Sequence, residues 1–288
     1  MKFMAVLLAL IPAICWGSIG LISGKLGGTS YQQTLGMTIG AFLFGIFSIV
    51  YFHPQMTTTV WLVGIASGLF WSVGQFQQFQ SMKAIGISVT VPVSTGMQLV
   101  CTTLAGVLLF NEWTTARMLT LGSLAMISLI AGIVFTSLRD KAGNANRSGN
   151  FNMSAGVRAL IFSTIGYTLY TVIVNMSHVD SKAVLFPQSI GMVIGALIFA
   201  ARNHPFGKPM VKNIATGLVW GVGNFFMFMS IPAVGLAISY SLAQSGIIIS
   251  TFGSILLLGE HKTRREMVYI TIGSILVIAG SAILGILK

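Results

Sequence analysis

Long apolar blocks alternate with short polar connections along the whole chain. Each block holds about 20 mostly apolar residues, the length that a helix needs to cross the hydrocarbon core of a bilayer. The connections are marked by Gly, Pro and single charged residues, as at Gly27-Gly28 and His53-Pro54. The pattern predicts ten membrane-spanning helices, at about 4–24, 32–52, 60–81, 86–109, 117–137, 156–176, 183–201, 213–231, 234–258 and 266–287.

Two parts of the chain resemble each other. Ile65–Phe76 aligns without gaps with Ile214–Phe225, and the second predicted span matches the seventh. Shared pairs are Gly68/Gly217, Trp71/Trp220, Gly74/Gly223, Gln33/Gln188, Gly36/Gly191, Met37/Met192 and Gly40/Gly195, with Gln75 facing Asn224 as a like amide. Chance similarity among apolar helices accounts for scattered Leu and Ile, but not for coincident Trp, Gln and Gly.

The longest polar connection runs from Asp140 to Asn150 and separates two sets of five spans. Because five is odd, two copies in series cross the membrane in opposite directions, a plan that recurs in secondary transporters. The predicted fold is an all-α polytopic membrane protein with ten transmembrane helices as two inverted five-helix repeats. The first repeat covers 1–137, a cytoplasmic connector covers 138–155, and the second repeat covers 156–288.

Composition excludes the other fold classes. Of the 288 residues 55% are hydrophobic and 7% are charged, whereas soluble domains carry roughly 25% charged residues. A soluble globule and a disordered chain are both excluded. The net charge of +11 does not indicate nucleic-acid binding, because the basic residues are scattered singly between apolar blocks.

The basic residues are sorted by connection. Twelve of the 16 Lys and Arg lie in the odd-numbered connections, and the remaining four lie in the even-numbered ones and at the termini. Lys and Arg are enriched in cytoplasmic loops. The distribution therefore predicts that both termini lie outside and the central connector lies in the cytoplasm.

Enzymatic and metal chemistry have no visible basis in the sequence. The four His lie near span ends without ligand partners at helical spacing, and no phosphate-binding loop occurs. The five acidic residues also lie at span ends or in connections. We therefore expect no catalytic residues, no metal and no cofactor, and a neutral substrate, since a charged one needs a buried counter-charge.

The span interiors hold amides and aromatic rings instead. Trp71, Gln75 and Gln78 share one face of the third span, and further amides lie in other spans. One interpretation is hydrogen bonding between helices. The other is a sugar site, because an amide offers a donor and an acceptor to hydroxyls and an indole offers a flat apolar face. The candidate substrate-binding residues are Trp71, Gln75, Gln78, Gln98, Gln188, Trp220, Asn224 and Gln244.

Several motifs resemble those of the bacterial glucose/ribose uptake family, a branch of the drug/metabolite transporter superfamily. They are Leu10-Ile-Pro-Ala-Ile-Cys-Trp-Gly17, Lys25-Leu-Gly-Gly28, Gln33-Thr-Leu-Gly36, Ser67-Gly-Leu-Phe-Trp71, Pro92-Val-Ser-Thr-Gly-Met-Gln98, Glu112-Trp113, Phe186-Pro-Gln188 and Glu260-His-Lys-Thr263. The resemblance implies a multi-pass cell-membrane protein that takes up a monosaccharide, with a proton as the coupling ion. It favours glucose over ribose.

Glu112 and Glu260 are the carboxylates at repeat-equivalent positions, and they are weak candidates for proton coupling. They could equally anchor the ends of connections by pairing with Arg117 or Lys262. Two alternatives to sugar uptake stay open: export of another neutral metabolite, such as an amino acid, and a membrane sensor that does not transport.

Overall fold

The computed structural model describes residues 2–110, 113–140, 151–234, 239 and 242–286, and all regular structure among them is helical. The helices are α1 (Lys2–Leu26), α2 (Ser30–Phe52), α3 (Thr58–Ile85), α4 (Ile87–Phe110), α5 (Ala116–Ser137), α6 (Met153–Ser177), α7 (Ser181–Ala200), α8 (Lys208–Lys212), α9 (Ile214–Val234), α10 (Gly246–Leu257) and α11 (Arg264–Gly285).

Polar side chains begin most of these helices by accepting hydrogen bonds from otherwise unpaired N–H groups. Thr57 caps α3, Asn152 caps α6 and Asp180 caps α7. α2 and α11 each begin with a reciprocal capping box, Thr29 with Gln32 and Thr263 with Glu266. The short polar connections are therefore sufficient to end one helix and start the next.

The distribution of polarity is that of a protein surrounded by lipid. Large apolar side chains lie on the outer surface, among them Leu256, which is 79% exposed, and Leu108, which is 75% exposed. Small hydroxyl side chains such as Ser67 and Thr90 are fully buried. Since buried polar groups in lipid need partners within the protein, the helices turn their polar faces inward.

Helices from the first half of the sequence pack between helices from the second half. α3 packs against α6 and α7, while α9 packs against α1 and α2. The α2–α9 crossing is close because Gly40 and Gly217 face each other: a Cβ on Gly217 would lie 2.7 Å from the Cα of Gly40. Small residues permit such approaches between membrane helices, so these glycines bring the second and eighth predicted spans into backbone contact.

One end of the bundle joins segments that are distant in sequence. Hydrogen bonds connect Gly27 with Asn213, Gly28 with Lys83, Ala84 with Asn152, and Asp140 with Thr263. The connections that carry most of the basic residues therefore share this end, which we name the basic end. At the opposite end, Nζ of Lys182 lies 5.2 Å from the ring centroid of Phe52. An open cleft there runs between the α2–α3 and α6–α7 connections.

The predicted spans correspond to the observed helices with one addition and two partial matches. Eight described helices are long and apolar enough to cross a membrane, and Leu10–Leu26 and Leu242–Leu257 are shorter apolar helices. The first overlaps the predicted span 4–24 and extends two residues beyond it, and the second lies within the predicted span 234–258. The sequence did not predict α8, a helix of five residues that begins at Lys208-Pro209. Residues 141–150 of the predicted connector lie outside the described residues.

Candidate functional site

α3 presents three of the predicted residues to the bundle interior. Trp71, Gln75 and Gln78 follow one another at intervals of four and three residues, so they share a helix face. Trp71 and Gln75 are each 3% exposed, and Gln78 is half-buried. The face is directed inward because α6 and α7 cover the neighbouring side of α3.

A tyrosine of α6 joins the two amides of α3. The Tyr167 hydroxyl donates to Oε1 of Gln75 at 2.8 Å and lies 3.3 Å from Oε1 of Gln78. Nε2 of Gln75 lies 3.4 Å from Oε1 of Gln78. Gly74 leaves room for this contact, because a Cβ at that position would lie 2.8 Å from the Tyr167 ring. Both amide oxygens therefore point at one buried hydroxyl.

α4 extends the same hydrogen-bonded chain. Nε2 of Gln78 donates to Oγ of Ser94 at 2.9 Å, and Nε2 of Gln98 donates to the same oxygen, also at 2.9 Å. Ser94 and Gln98 lie four residues apart on one face of α4. We name the set Gln75, Gln78, Ser94, Gln98 and Tyr167 the amide network. It contains no ionised group, so the chemistry it offers is neutral hydrogen bonding.

Two indoles border the amide network. The ring centroids of Trp71 and Tyr167 are 6.2 Å apart with planes at 78°, and those of Trp71 and Trp220 are 5.5 Å apart with planes at 61°. Nε1 of Trp16 donates to the Trp220 carbonyl at 3.3 Å, which links α1 to α9. The site thus combines amides with flat apolar surfaces, a combination that suits a polyol with apolar C–H faces.

The amides are concentrated on one side. In the alignment of α3 with α9, Gln75 corresponds to Asn224, but Gln78 corresponds to the buried, apolar Met227. Nδ2 of Asn224 donates to the carbonyl of Trp220 in its own helix at 2.9 Å. The α9 side of the bundle is therefore poorer in polar groups than the α3 side.

Three predicted residues lie apart from the network. Nε2 of Gln188 donates to Oγ of Ser67 at 3.1 Å, so it ties α7 to α3. Asn224 bonds within α9. Gln244 is 9% exposed and lies in a helical turn just before α10. Among the described residues, no hydrogen bond joins any of these three to the amide network.

Glu260 binds the start of α4 at the basic end. Its carboxylate accepts hydrogen bonds from the Ile87 N–H at 2.5 Å and from the N–H and hydroxyl of Ser88 at 3.3 and 2.5 Å. Nζ of Lys262 lies 3.7 Å from the same carboxylate. Gly86 has a φ of 87°, and a Cβ there would lie 2.7 Å from the carboxylate. Glu112, the other proton-coupling candidate, lies outside the described residues.

Sequence reasoning left Ser94 and Tyr167 out of the candidate site. Tyr167 is missed because its partners, 89 and 92 residues away, lie on another helix. No spacing along the chain links a tyrosine of the sixth predicted span to amides of the third. Ser94 lies four residues before Gln98, a spacing that could have identified it.

Comparison with known proteins gives a consistent family. A family model described as "Sugar transport protein" matches residues 7–287. The "Putative sugar uptake protein" of Lactiplantibacillus plantarum is 59% identical over 286 residues, which cover 99% of this chain and all of the relative. The "Probable glucose uptake protein GlcU" of Priestia megaterium is 48% identical over 285 residues, with 99% of this chain and all of the relative covered.

One solved structure has a similar fold. It bears the description "Crystal structure of protein", and it superposes with a TM-score of 0.61 at 17% identity over 99% of each chain. At that identity the likeness concerns the fold alone.

Proposed function

The chain belongs to the sugar transport protein family, and from this premise we propose that it is a secondary active transporter that takes up a monosaccharide across the cell membrane. The observation that carries the proposal is the amide network, a chain of neutral hydrogen-bonding groups bordered by indoles in the interior of a membrane protein. Each hydroxyl of a sugar both donates and accepts, as an amide does. A neutral polyol therefore fits a lining of amides better than an ion does.

Glucose is the proposed substrate, with ribose next. The relatives include proteins described as glucose uptake proteins, which are 48% identical to this chain. The motifs Ser67–Trp71 and Met97-Gln98 also resemble those of glucose carriers more than those of ribose carriers.

The fold proposed for this activity has ten spans in two inverted repeats. Two hydrogen bonds support it: Oγ of Ser81 lies 3.0 Å from Oγ1 of Thr90, and Oγ of Ser230 lies 2.9 Å from Oγ of Ser239. The two members of each pair are nine residues apart in the sequence, and the second pair follows the first by 149 residues. Packing supports it too, since α3 contacts α6 and α7 as α9 contacts α1 and α2.

Alternating access then involves opening the basic end, which we place in the cytoplasm from its charge. Glu260 follows α10, while its partners Ile87 and Ser88 begin α4, so this contact must break if the two helices separate there. α4 also carries Ser94 and Gln98 of the amide network. Pro92 lies between these contacts and removes one helical hydrogen bond. α4 is thus suited to transmit substrate binding to the end that opens.

Proton symport is the proposed form of coupling, and Glu260 is the proposed proton acceptor. Protonation would remove the negative charge that interacts favourably with the α4 N-terminus. It would also weaken the pairing with Lys262. Binding of a proton would then loosen the basic end, and α4 connects that end to Ser94 and Gln98 of the amide network, so the proton and the sugar could each affect the binding of the other.

Counterflow in proteoliposomes tests the transport proposal. Vesicles loaded with unlabelled glucose should accumulate labelled glucose. Matched vesicles loaded with unlabelled ribose should accumulate less labelled glucose. Accumulation of a labelled amino acid instead would overturn the substrate assignment. Binding without flux in vesicles of verified protein content would point to a sensor. Repeating the assay with an imposed pH gradient tests coupling, because a symporter responds to the gradient and a uniporter does not.

The candidate site has its own test. Gln75→Ala should abolish glucose counterflow while expression stays intact. Gln80→Ala is the matched control, because Gln80 lies on the same helix and accepts a hydrogen bond from Ser30 rather than from the network. Unchanged kinetics in Gln75→Ala would overturn the site assignment.

A further inference from the structure

The glutamine side chains of the amide network have a defined orientation, which the sequence does not show. A carboxamide can present either its oxygen or its NH₂ group to a ligand. In this network the oxygens of Gln75 and Gln78 both point to the Tyr167 hydroxyl, at 2.8 and 3.3 Å. The NH₂ groups of these amides consequently point away from Tyr167.

The N–H groups are only partly used. Each amide nitrogen carries two N–H groups, and the hydrogen bonds of the network use one from Gln75, one from Gln78 and one from Gln98. The Ser94 oxygen accepts two of these bonds, so its own hydroxyl hydrogen is directed elsewhere. Within the described part of the chain, the second N–H of each amide and the Ser94 O–H have no acceptor.

The amide oxygens of α3 face partners inside the network. The Tyr167 hydroxyl donates its one hydrogen to the Gln75 oxygen at 2.8 Å, while the Gln78 oxygen lies 3.3 Å from the Tyr167 oxygen and accepts from Nε2 of Gln75 at 3.4 Å. Among the described residues, the Gln98 oxygen accepts no hydrogen bond from the network. We propose that Tyr167 is a positioning residue that fixes the amides with their N–H groups towards the substrate, so that the site recognises sugar hydroxyls as hydrogen-bond acceptors. This inference rests on the proposed function and names the recognition mode of the same site.

The chemical consequence is measurable. Replacing a sugar hydroxyl by fluorine removes the donor and keeps a weak acceptor, whereas replacing it by hydrogen removes both. A site that presents donors should therefore tolerate fluorine at a recognised hydroxyl better than hydrogen. A site that presents acceptors should reject both replacements to a similar degree.

The experiment uses the full-length protein in proteoliposomes. Deoxy and deoxyfluoro glucose analogues, matched at each ring position, compete against labelled glucose in counterflow. At one or more positions the deoxy analogue should inhibit at least about 2-fold more weakly than its fluoro partner, the lower end of the range for one neutral hydrogen bond, because fluorine is a weak acceptor. Equal loss for both analogues at every position that matters would overturn the inference.

Tyr167→Phe supplies the second arm. The phenyl ring keeps the contacts with Gly74 and Trp71, while loss of the hydroxyl frees the amides to rotate. KM for glucose should rise about 5-fold or more, and the deoxy-to-fluoro ratio should fall towards one. Tyr51→Phe is the matched control, because Tyr51 is 51% exposed and packs against aromatic rings. A Tyr167→Phe protein with the wild-type ratio would overturn the positioning role.

A flux-independent measurement separates this inference from the proposed function. A ligand that binds the folded protein raises its Tm, so the analogues are also ranked by thermal shift in detergent. If glucose is not transported and does not raise the Tm of the protein, the proposed function and the inference fail together. If glucose is transported and raises the Tm, but the fluoro analogues bind no better than the deoxy analogues, only the inference fails.

Discussion

Trp71 and Trp220 align in the sequences of α3 and α9 and contact each other, with ring centroids 5.5 Å apart and planes inclined at 61°. A residue can meet its own repeat-equivalent only near the axis that relates the two copies. The indole pair therefore marks the centre of the proposed inverted repeat. The amide network begins one turn away at Gln75, so the candidate site is adjacent to this axis rather than within one repeat.

Truncating one indole should destabilise the protein. Trp71 is 3% exposed and contacts both Tyr167 and Trp220. Trp71→Ala should lower the free energy of unfolding by about 3–5 kcal/mol, the usual cost of removing a buried large aromatic side chain. The measurement is thermal unfolding in detergent. Trp61→Ala is the control, since Trp61 is only half-buried, near the start of α3; an equal loss there would contradict the central role of Trp71.

The sequence could predict those parts of the fold that depend on local pattern. Span length and apolar content identify α2 to α7, and the i, i+4, i+7 spacing places Trp71, Gln75 and Gln78 on one face. Contacts between distant segments have no such pattern. Glu260 binds Ile87 across 173 residues, and Tyr167 binds Gln75 across 92. These contacts decide the polarity of the amides and the closure of the basic end.

Removing the Glu260 carboxylate should loosen the basic end. Glu260→Ala deprives Ile87 and Ser88 of their acceptor, and loss of a helix cap costs about 0.5–2 kcal/mol. A cysteine at Ser94, in a protein with Cys15 and Cys101 replaced by Ala, should then react faster with an impermeant thiol reagent applied from the basic end. Asp180→Ala removes a cap at the opposite end and serves as the control. Unchanged labelling in Glu260→Ala would contradict the gating role.

A methyl group at Gly68 should separate α3 from α7. A Cβ there would lie 2.7 Å from the backbone nitrogen of Met192 and would also meet the backbone of Gln188, neither of which can rotate away. Gly→Ala normally favours a helix by about 1 kcal/mol. We nevertheless expect Gly68→Ala to lower the Tm and reduce counterflow.

Gly24→Ala is the matched control for this close approach. A Cβ at Gly24 would meet the ends of the Leu258 and Ile87 side chains, at 2.9 and 3.3 Å, and these ends are flexible. The Tm of Gly24→Ala should therefore stay within a few degrees of wild type. If both substitutions had the same effect, backbone contact at Gly68 would not explain its glycine.

The two hydroxyl pairs that support the repeat should have similar energies. Ser81 and Thr90 are fully buried, as are Ser230 and Ser239. Ser81→Ala leaves Thr90 without this partner, a loss of about 1–3 kcal/mol, whereas Ser81→Ala with Thr90→Val removes both polar groups and should recover part of it. A double-mutant cycle on thermal unfolding measures the coupling.

The same cycle with Ser230→Ala and Ser239→Ala should give a coupling of the same sign and within about 0.5 kcal/mol. Coupling in one pair but not in the other would mean that the two hydrogen bonds are not structural equivalents, and it would weaken the proposal of an inverted repeat at its most specific point.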